Sequence, residues 1–176
     1  MRRLLILGVL ACTLFAAPVN RGLIATVEMA MNKRVEALFP GETFLLLGHT
    51  HGLYLEGVGC VFTTRINLAE GPGLSPFRPK ISEAERETLR KKKLERLPAL
   101  RDAMREMLVN AALAMDPVPP SERMVLSVSL LHMPHENVTG LPVQIVMQAE
   151  RRTLMGFLTS SKDKAAMETA IQVREY

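Results

Sequence analysis

The chain has 176 residues, of which 48% are hydrophobic and 23% charged, as in an ordinary globular domain rather than a disordered or fibrous chain. It contains two cysteines, too few for a disulfide framework. Without Arg2 and Arg3 it carries 20 basic and 18 acidic residues, a net charge of +2. A charge so near neutrality gives no support for a nucleic-acid partner.

The first 17 residues have the pattern of a signal peptide. Arg2 and Arg3 precede an uncharged, mostly apolar run over residues 4–17. That run is shorter than the roughly 20 residues that span a membrane. We expect residues 1–17 to be a signal peptide, with an uncleaved anchor as the alternative, and residues 22–176 to form a single domain. The protein is then exported from a bacterium, periplasmic or secreted, and meets the membrane only through this segment if it is uncleaved.

The first half of the expected domain contains one helix and a strand pair. Residues 23–38 carry apolar side chains at a 3.6-residue spacing, which predicts an amphipathic helix. Residues 44–47 predict a short buried strand, and GHTHG, residues 48–52, predicts the turn of a hairpin. Apolar and polar side chains then alternate over residues 53–68, as in one long strand. Residues 70–80 contain three prolines and two glycines and predict an irregular connection.

A long helix is the clearest element of the sequence. Ser82 and Glu85 form a capping box, in which each side chain satisfies an amide near the start of the helix. An apolar stripe then continues to about Met115. Pro98 interrupts the backbone hydrogen bonding but leaves the stripe in phase, which predicts one kinked helix rather than two.

The remaining elements complete a mixed fold. Residues 124–131 and 143–148 alternate in polarity and predict two strands, joined by a loop over residues 132–142. Residues 149–169 are more helical, and residues 170–176 alternate again as a final strand. We therefore predict an α+β fold: a largely antiparallel sheet of about five strands, with a long helix and two shorter helices packed on it.

Two short runs in the expected strands form a recognisable pattern: Tyr54-Leu55-Glu56-Gly57-Val58-Gly59 with Phe62 and Asn67, and later Pro142-Val143-Gln144-Ile145-Val146. This Tyr-Leu-x-Gly-x-Gly-x-x-Phe strand and the second run resemble a loose group of exported bacterial proteins that have no assigned activity. The resemblance covers most of the expected domain and supports export and a single domain, but it supplies no catalytic residue.

The four histidines form two pairs, and each pair falls at an expected hairpin tip. His49 and His51 alternate on extended chain, and His132 and His135 flank Met133. If the two tips meet, four imidazoles could bind Zn²⁺ or Cu²⁺, and the thioether would suit Cu(I). The alternative is that these are ordinary polar residues of exposed turns, and that the protein has no cofactor.

Three neighbouring residues of the long expected strand suggest either a site or a packing role. Gly57 and Gly59 would leave a groove on one strand face for a ligand, or would admit a close backbone neighbour or a bulge. Glu56 would lie on the apolar face, where burial raises a carboxyl pKa and suits acid–base chemistry, or would turn outward at a bulge. Cys60 reads as a buried small hydrophobe.

No compact catalytic motif is present, since the chain lacks a nucleophile elbow, a P-loop and a dinucleotide-binding glycine motif. We therefore expect a cell-envelope domain that binds or scaffolds an envelope protein or ligand rather than an enzyme. The alternatives are the histidine metal site and a hydrolase whose catalytic residues are dispersed, for which Glu56 and His51 are the first positions to vary.

Overall fold

The fold is described from a computed structural model that covers residues 19–40, 45–77, 80–157 and 164–176. The expected signal peptide lies outside these residues. Within them, no helix is both long enough and apolar enough to cross a membrane. The elements are α1 (Arg21–Glu36), β1 (Leu45–Leu46), β2 (His51–Leu55), β3 (Gly59–Asn67), α2 (Glu83–Ala114), β4 (Arg123–Leu130), β5 (Gln144–Glu150), α3 (Arg151–Met155), α4 (Lys164–Ala170) and β6 (Gln172–Glu175).

The strands form one sheet in which six strands occupy five positions. β1 and β2 both pair antiparallel with β3, at its two ends, and so act as two halves of one edge strand. The order then continues through β4 and β5 to β6. All neighbours are antiparallel except β3 and β4, which are parallel because α2 carries the chain back between them. The predicted α+β class with a largely antiparallel sheet is confirmed.

The sheet buries one face under the helices and leaves the other open. Phe62 of β3, Leu126 of β4 and Met147 of β5 point to the helix face and are fully buried. Their neighbours along each strand, such as Thr63 and Gln148, point to the open face. This alternation follows from the two-residue period of a strand. The core therefore lies in one layer between the sheet and the helices.

The predicted long helix is confirmed with its capping box. The Ser82 hydroxyl accepts from the amide of Glu85 at 3.3 Å, and the Glu85 carboxylate accepts from the amide of Ser82 at 3.0 Å. The helix continues through Pro98, which is exposed. Its apolar stripe, including Leu100, is buried against the sheet.

The position of the first hairpin turn was predicted wrongly. GHTHG is not the turn, since β2 begins at His51 and the chain reverses at residues 56–58. The turn is closed by the Val58 amide, which donates to the carbonyl of Leu55 at 3.0 Å. Tyr54 lies opposite Cys60 in the register, so both strands present the same face at even-numbered positions. Apolar and polar residues therefore alternate without a break through the turn, so the sequence pattern did not reveal the turn.

The region after β5 is less helical than predicted. In place of one helix over residues 149–169, β5 extends to Glu150, and two short helices, α3 and α4, follow. Residues 158–163 of the predicted helix lie outside the described residues. The predicted final strand is confirmed as β6, which pairs antiparallel with β5.

Candidate functional site

The GHTHG segment is held against α1 by two polar side chains of that helix. Asn32 Oδ1 accepts from the Thr50 amide at 2.7 Å, and Glu28 Oε1 accepts from the Gly52 amide at 2.6 Å. Asn32 Nδ2 also lies 3.4 Å from Nδ1 of His49. The segment is therefore a fixed edge of the sheet rather than a free hairpin tip.

Close packing explains the second glycine of that segment. A Cβ atom at Gly52 would lie 2.6 Å from Cγ2 of Ile24 and 2.7 Å from the ring of Phe62. Any larger residue would push α1 away from the sheet. Gly52 thus allows the helix to approach closely enough for Glu28 to reach the backbone amide.

The Glu28 carboxylate also forms a bidentate ion pair with Arg21, at 2.7 and 2.9 Å. Burial alone would raise the pKa of Glu28. The hydrogen bonds from Arg21 and from the Gly52 amide outweigh burial and hold that pKa below its ordinary value. The carboxylate is therefore charged at neutral pH and joins α1 to β2.

His49 and His51 share a shallow cleft beside the open face of the sheet. The cleft has a volume of about 250 Å³. His51 points to the open face because its neighbour Gly52 packs against α1. The cleft is lined by Leu47, Gly48, His49, His51, Thr63, Thr64, Arg65 and Ser129.

His132 belongs to a buried polar cluster on the other side of the sheet. Its Nε2 donates to the Pro142 carbonyl at 2.9 Å, and its Nδ1 lies 3.7 Å from a carboxylate oxygen of Glu136. The same carboxylate is paired with Lys93 of α2, and both of these side chains are almost fully buried. The cluster fixes the loop between β4 and β5 to the long helix.

The two histidine pairs do not meet. His51 lies on the open face of β2, whereas His132 lies under α2, and β3 separates their strands by roughly 10 Å of backbone. His135 lies in the loop between β4 and β5. Over residues 19–40, 45–77, 80–157 and 164–176, no three His, Cys, Asp or Glu residues are grouped so that they could hold a metal ion. The structure therefore does not form the predicted four-histidine group.

Gly57 and Gly59 do not form a groove on one strand face. Gly57 lies in the turn with φ +78°, and nothing lies within 4 Å of the position its Cβ would take. Gly59 begins β3 with φ +128°, and a Cβ there would lie 1.9 Å from the carbonyl oxygen of Arg123. Gly57 therefore serves the turn, and Gly59 admits the backbone of β4.

Glu56 lies exposed at the turn rather than on the apolar face. The buried carboxylate of this region is Glu122, whose Oε1 accepts from the Gly57 amide at 2.9 Å and from the Tyr54 hydroxyl at 3.4 Å. Burial, with Glu122 nearby, raises the pKa of the Cys60 thiol to about 11. The thiol is therefore protonated at neutral pH, as a buried core cysteine should be. Sequence patterning missed Glu122 because it follows a proline-rich connection without periodicity.

An apolar concavity with a buried floor lies between α1 and α2. This groove, called the α1–α2 groove below, has a volume of about 410 Å³. Its floor is buried and contains Val27, Met31 and Met107. Four of its lining residues are alanines, whose short side chains leave the space between the helices open; the full lining is Thr26, Val27, Ala30, Met31, Lys33, Arg34, Ala37, Met107, Asn110, Ala111 and Ala114.

The charges at the rim of the α1–α2 groove are positive. Lys33 and Arg34 line it, and none of the other described residues in its lining is charged. Arg34 is bound to Glu106 of α2, with its Nη2 at 2.7 Å from the carboxylate. Lys33 is exposed and has no ion pair among the described residues. In the part of the chain that the structure describes, the rim thus offers one cation without an ion pair, Lys33, beside an apolar floor.

Comparison of the chain with protein-family models, curated proteins and solved structures gave no match.

Proposed function

We propose that this protein is an exported bacterial envelope protein that binds an apolar ligand, or the apolar part of a larger one, in the α1–α2 groove. The observation that carries the proposal is the groove itself. An apolar concavity of about 410 Å³ with a few polar groups at its rim has the size and character of small-molecule sites.

The buried titratable side chains are the first candidates for a catalytic site, but they form structural hydrogen bonds. Their engagement supports binding rather than hydrolysis. His132 Nε2 is engaged with the Pro142 carbonyl, so that nitrogen is not free to accept a proton. Glu122 Oε1 accepts from Gly57 and Tyr54 beneath the turn. These polar side chains stabilise the backbone around them, whereas the floor of the groove consists of apolar side chains that face an open space.

Filling the groove tests this proposal. Ala30 is exposed, so Ala30→Phe places an aromatic ring at the groove without disturbing the core. We expect the neutral fluorescent probe N-phenyl-1-naphthylamine to bind the native protein and to lose about tenfold or more in affinity in the variant, a factor worth about 1.4 kcal/mol.

The matched control is Ala99→Phe, at an exposed position of α2 outside the groove. It should leave the affinity unchanged. Equal probe binding by native protein and Ala30→Phe would refute the groove as the ligand site.

Export is the second component of the proposal. It is supported by the basic pair and apolar run of residues 1–17 and by the resemblance carried by Tyr54 to Phe62. Expression of the full chain in a bacterium, followed by osmotic shock and N-terminal sequencing of the released protein, checks it. A chain that stays with the cytoplasmic fraction would contradict export.

A further inference from the structure

The geometry points to a single-chain carboxylate amphiphile as the ligand of the α1–α2 groove. This inference rests on the function proposed above and adds the chemical class of the ligand. Two features of the groove carry it: the volume between the helices, and the sign of the charge at the rim.

The volume matches one hydrocarbon chain. A cavity of roughly 150 Å³ accommodates benzene, so by proportion about 410 Å³ has room for about 16 non-hydrogen atoms. The lining of α1 extends from Thr26 to Ala37, about 16 Å at the helical rise of 1.5 Å per residue. A groove of this length and volume suits one extended acyl chain rather than two.

The positive charge at the rim favours a ligand with an anionic head group. Among the described residues of the rim, Lys33 is the cation without an ion pair, while Arg34 already shares its charge with Glu106. Both also lie in the last turn of α1, where cations stabilise the helix dipole. No carboxylate is among the described residues that line the groove, and the nearby Glu106 carboxylate is already paired with Arg34, so an anionic head beside Lys33 gains an ion pair. Asn110 adds a hydrogen-bonding side chain at the rim, whereas the Thr26 hydroxyl already donates to the Gly22 carbonyl at 3.1 Å.

The test compares ligands that share one chain length and differ in head group. Isothermal titration with decanoate, decanol and decyltrimethylammonium, each below its aggregation concentration, measures the contribution of the head. We expect decanoate to bind three- to fivefold more tightly than decanol, about the factor of one partly exposed ion pair, and the cationic analogue to bind least.

A charge reversal then assigns the effect to one residue. Lys33→Glu should weaken decanoate binding and leave decanol binding unchanged. The control Lys91→Glu makes the same change in net charge on an exposed position of α2 outside the groove, and should alter neither.

The outcomes separate the two proposals. Equal affinity for decanoate and decanol would overturn the head-group inference and leave the apolar site intact, whereas binding of neither would overturn both. Stronger association with phosphatidylglycerol vesicles than with decanoate would replace the single-chain ligand by a membrane surface. A dimer that Ala30→Phe abolishes in sedimentation velocity would assign the groove to a second copy of the chain, against the inference.

Discussion

At the scale of single residues, Gly57 and Gly59 have the same side chain but different physical roles. Both have positive φ, +78° and +128° respectively, but only Gly59 is crowded. A Cβ at Gly59 would overlap the carbonyl oxygen of Arg123, while the space around Gly57 is open. An alanine at Gly57 would therefore introduce backbone strain alone, whereas an alanine at Gly59 would add a steric clash with β4.

We expect Gly57→Ala to lower the free energy of unfolding by about 1–2 kcal/mol, the cost of a left-handed backbone for an L-residue. Gly59→Ala should cost about 3 kcal/mol or more, because β4 must also move away from β3. Urea denaturation followed by circular dichroism measures both. Equal losses for the two variants would contradict the role given to the Arg123 backbone.

Residue roles were only partly predictable from the sequence. Cys60 was recognisable as core because alternation places it beside other apolar residues, and it is 1% exposed. Glu56 was placed wrongly because the even-numbered residues of β2 and β3 lie on the same face of the sheet. The alternation of apolar and polar residues therefore continues through the turn, and Glu56 looked like a residue of the apolar strand face. Glu122 gave no signal, since its burial depends on the turn that folds over it from the other strand.

At the scale of elements, α1 is joined to the edge of the sheet by Glu28 and Asn32. Each accepts a hydrogen bond from a backbone amide of the GHTHG segment. The segment contains a break between β1 and β2, so its amides have fewer strand partners than those of a regular edge. The helix supplies the missing acceptors.

We expect Glu28→Ala to lower the free energy of unfolding by about 1–3 kcal/mol at pH 7, because the Gly52 amide loses its side-chain acceptor and Arg21 loses its ion-pair partner. Glu28→Gln is the matched variant: it keeps an acceptor for the amide, loses the charge, and should cost less. Urea denaturation at a series of pH values measures both.

The pH dependence has a definite sign. Because the folded pKa of Glu28 lies below its ordinary value of 4.5, its contribution is present above that value and is lost as the pH falls through the folded pKa. The difference between the native protein and Glu28→Gln should therefore shrink in acid below about pH 4.5. A difference that is constant from pH 7 to acid would contradict the ionic role of Glu28.

Most elements were predictable, because periodicity and capping are local. α2, with its Ser82 capping box, and strands β4 to β6 follow directly from the sequence pattern. The parallel pairing of β3 with β4 was not predictable from the sequence, since the register across a long helical connection depends on packing between distant residues. The α1–α2 groove likewise arises from two helices that are far apart in sequence.

At the scale of the whole molecule, the fold has two unlike surfaces. The open face of the sheet is lined by mixed polar side chains together with exposed Leu53 and Leu55. The helix layer is interrupted by the α1–α2 groove, which is lined mainly by alanine and methionine and edged by Lys33. In our account, function belongs to the helix layer, and the sheet is its support.

The most direct test of that account is methyl NMR with ¹³C-labelled methionine. Met31 and Met107 line the groove, whereas Met124 and Met147 are buried between the strands and the helices. On titration with decanol, the methyl resonances of Met31 and Met107 should shift most, and those of Met124 and Met147 should change little. Unchanged Met31 and Met107 signals, or largest shifts at Met133 in the loop after β4, would contradict binding in the groove.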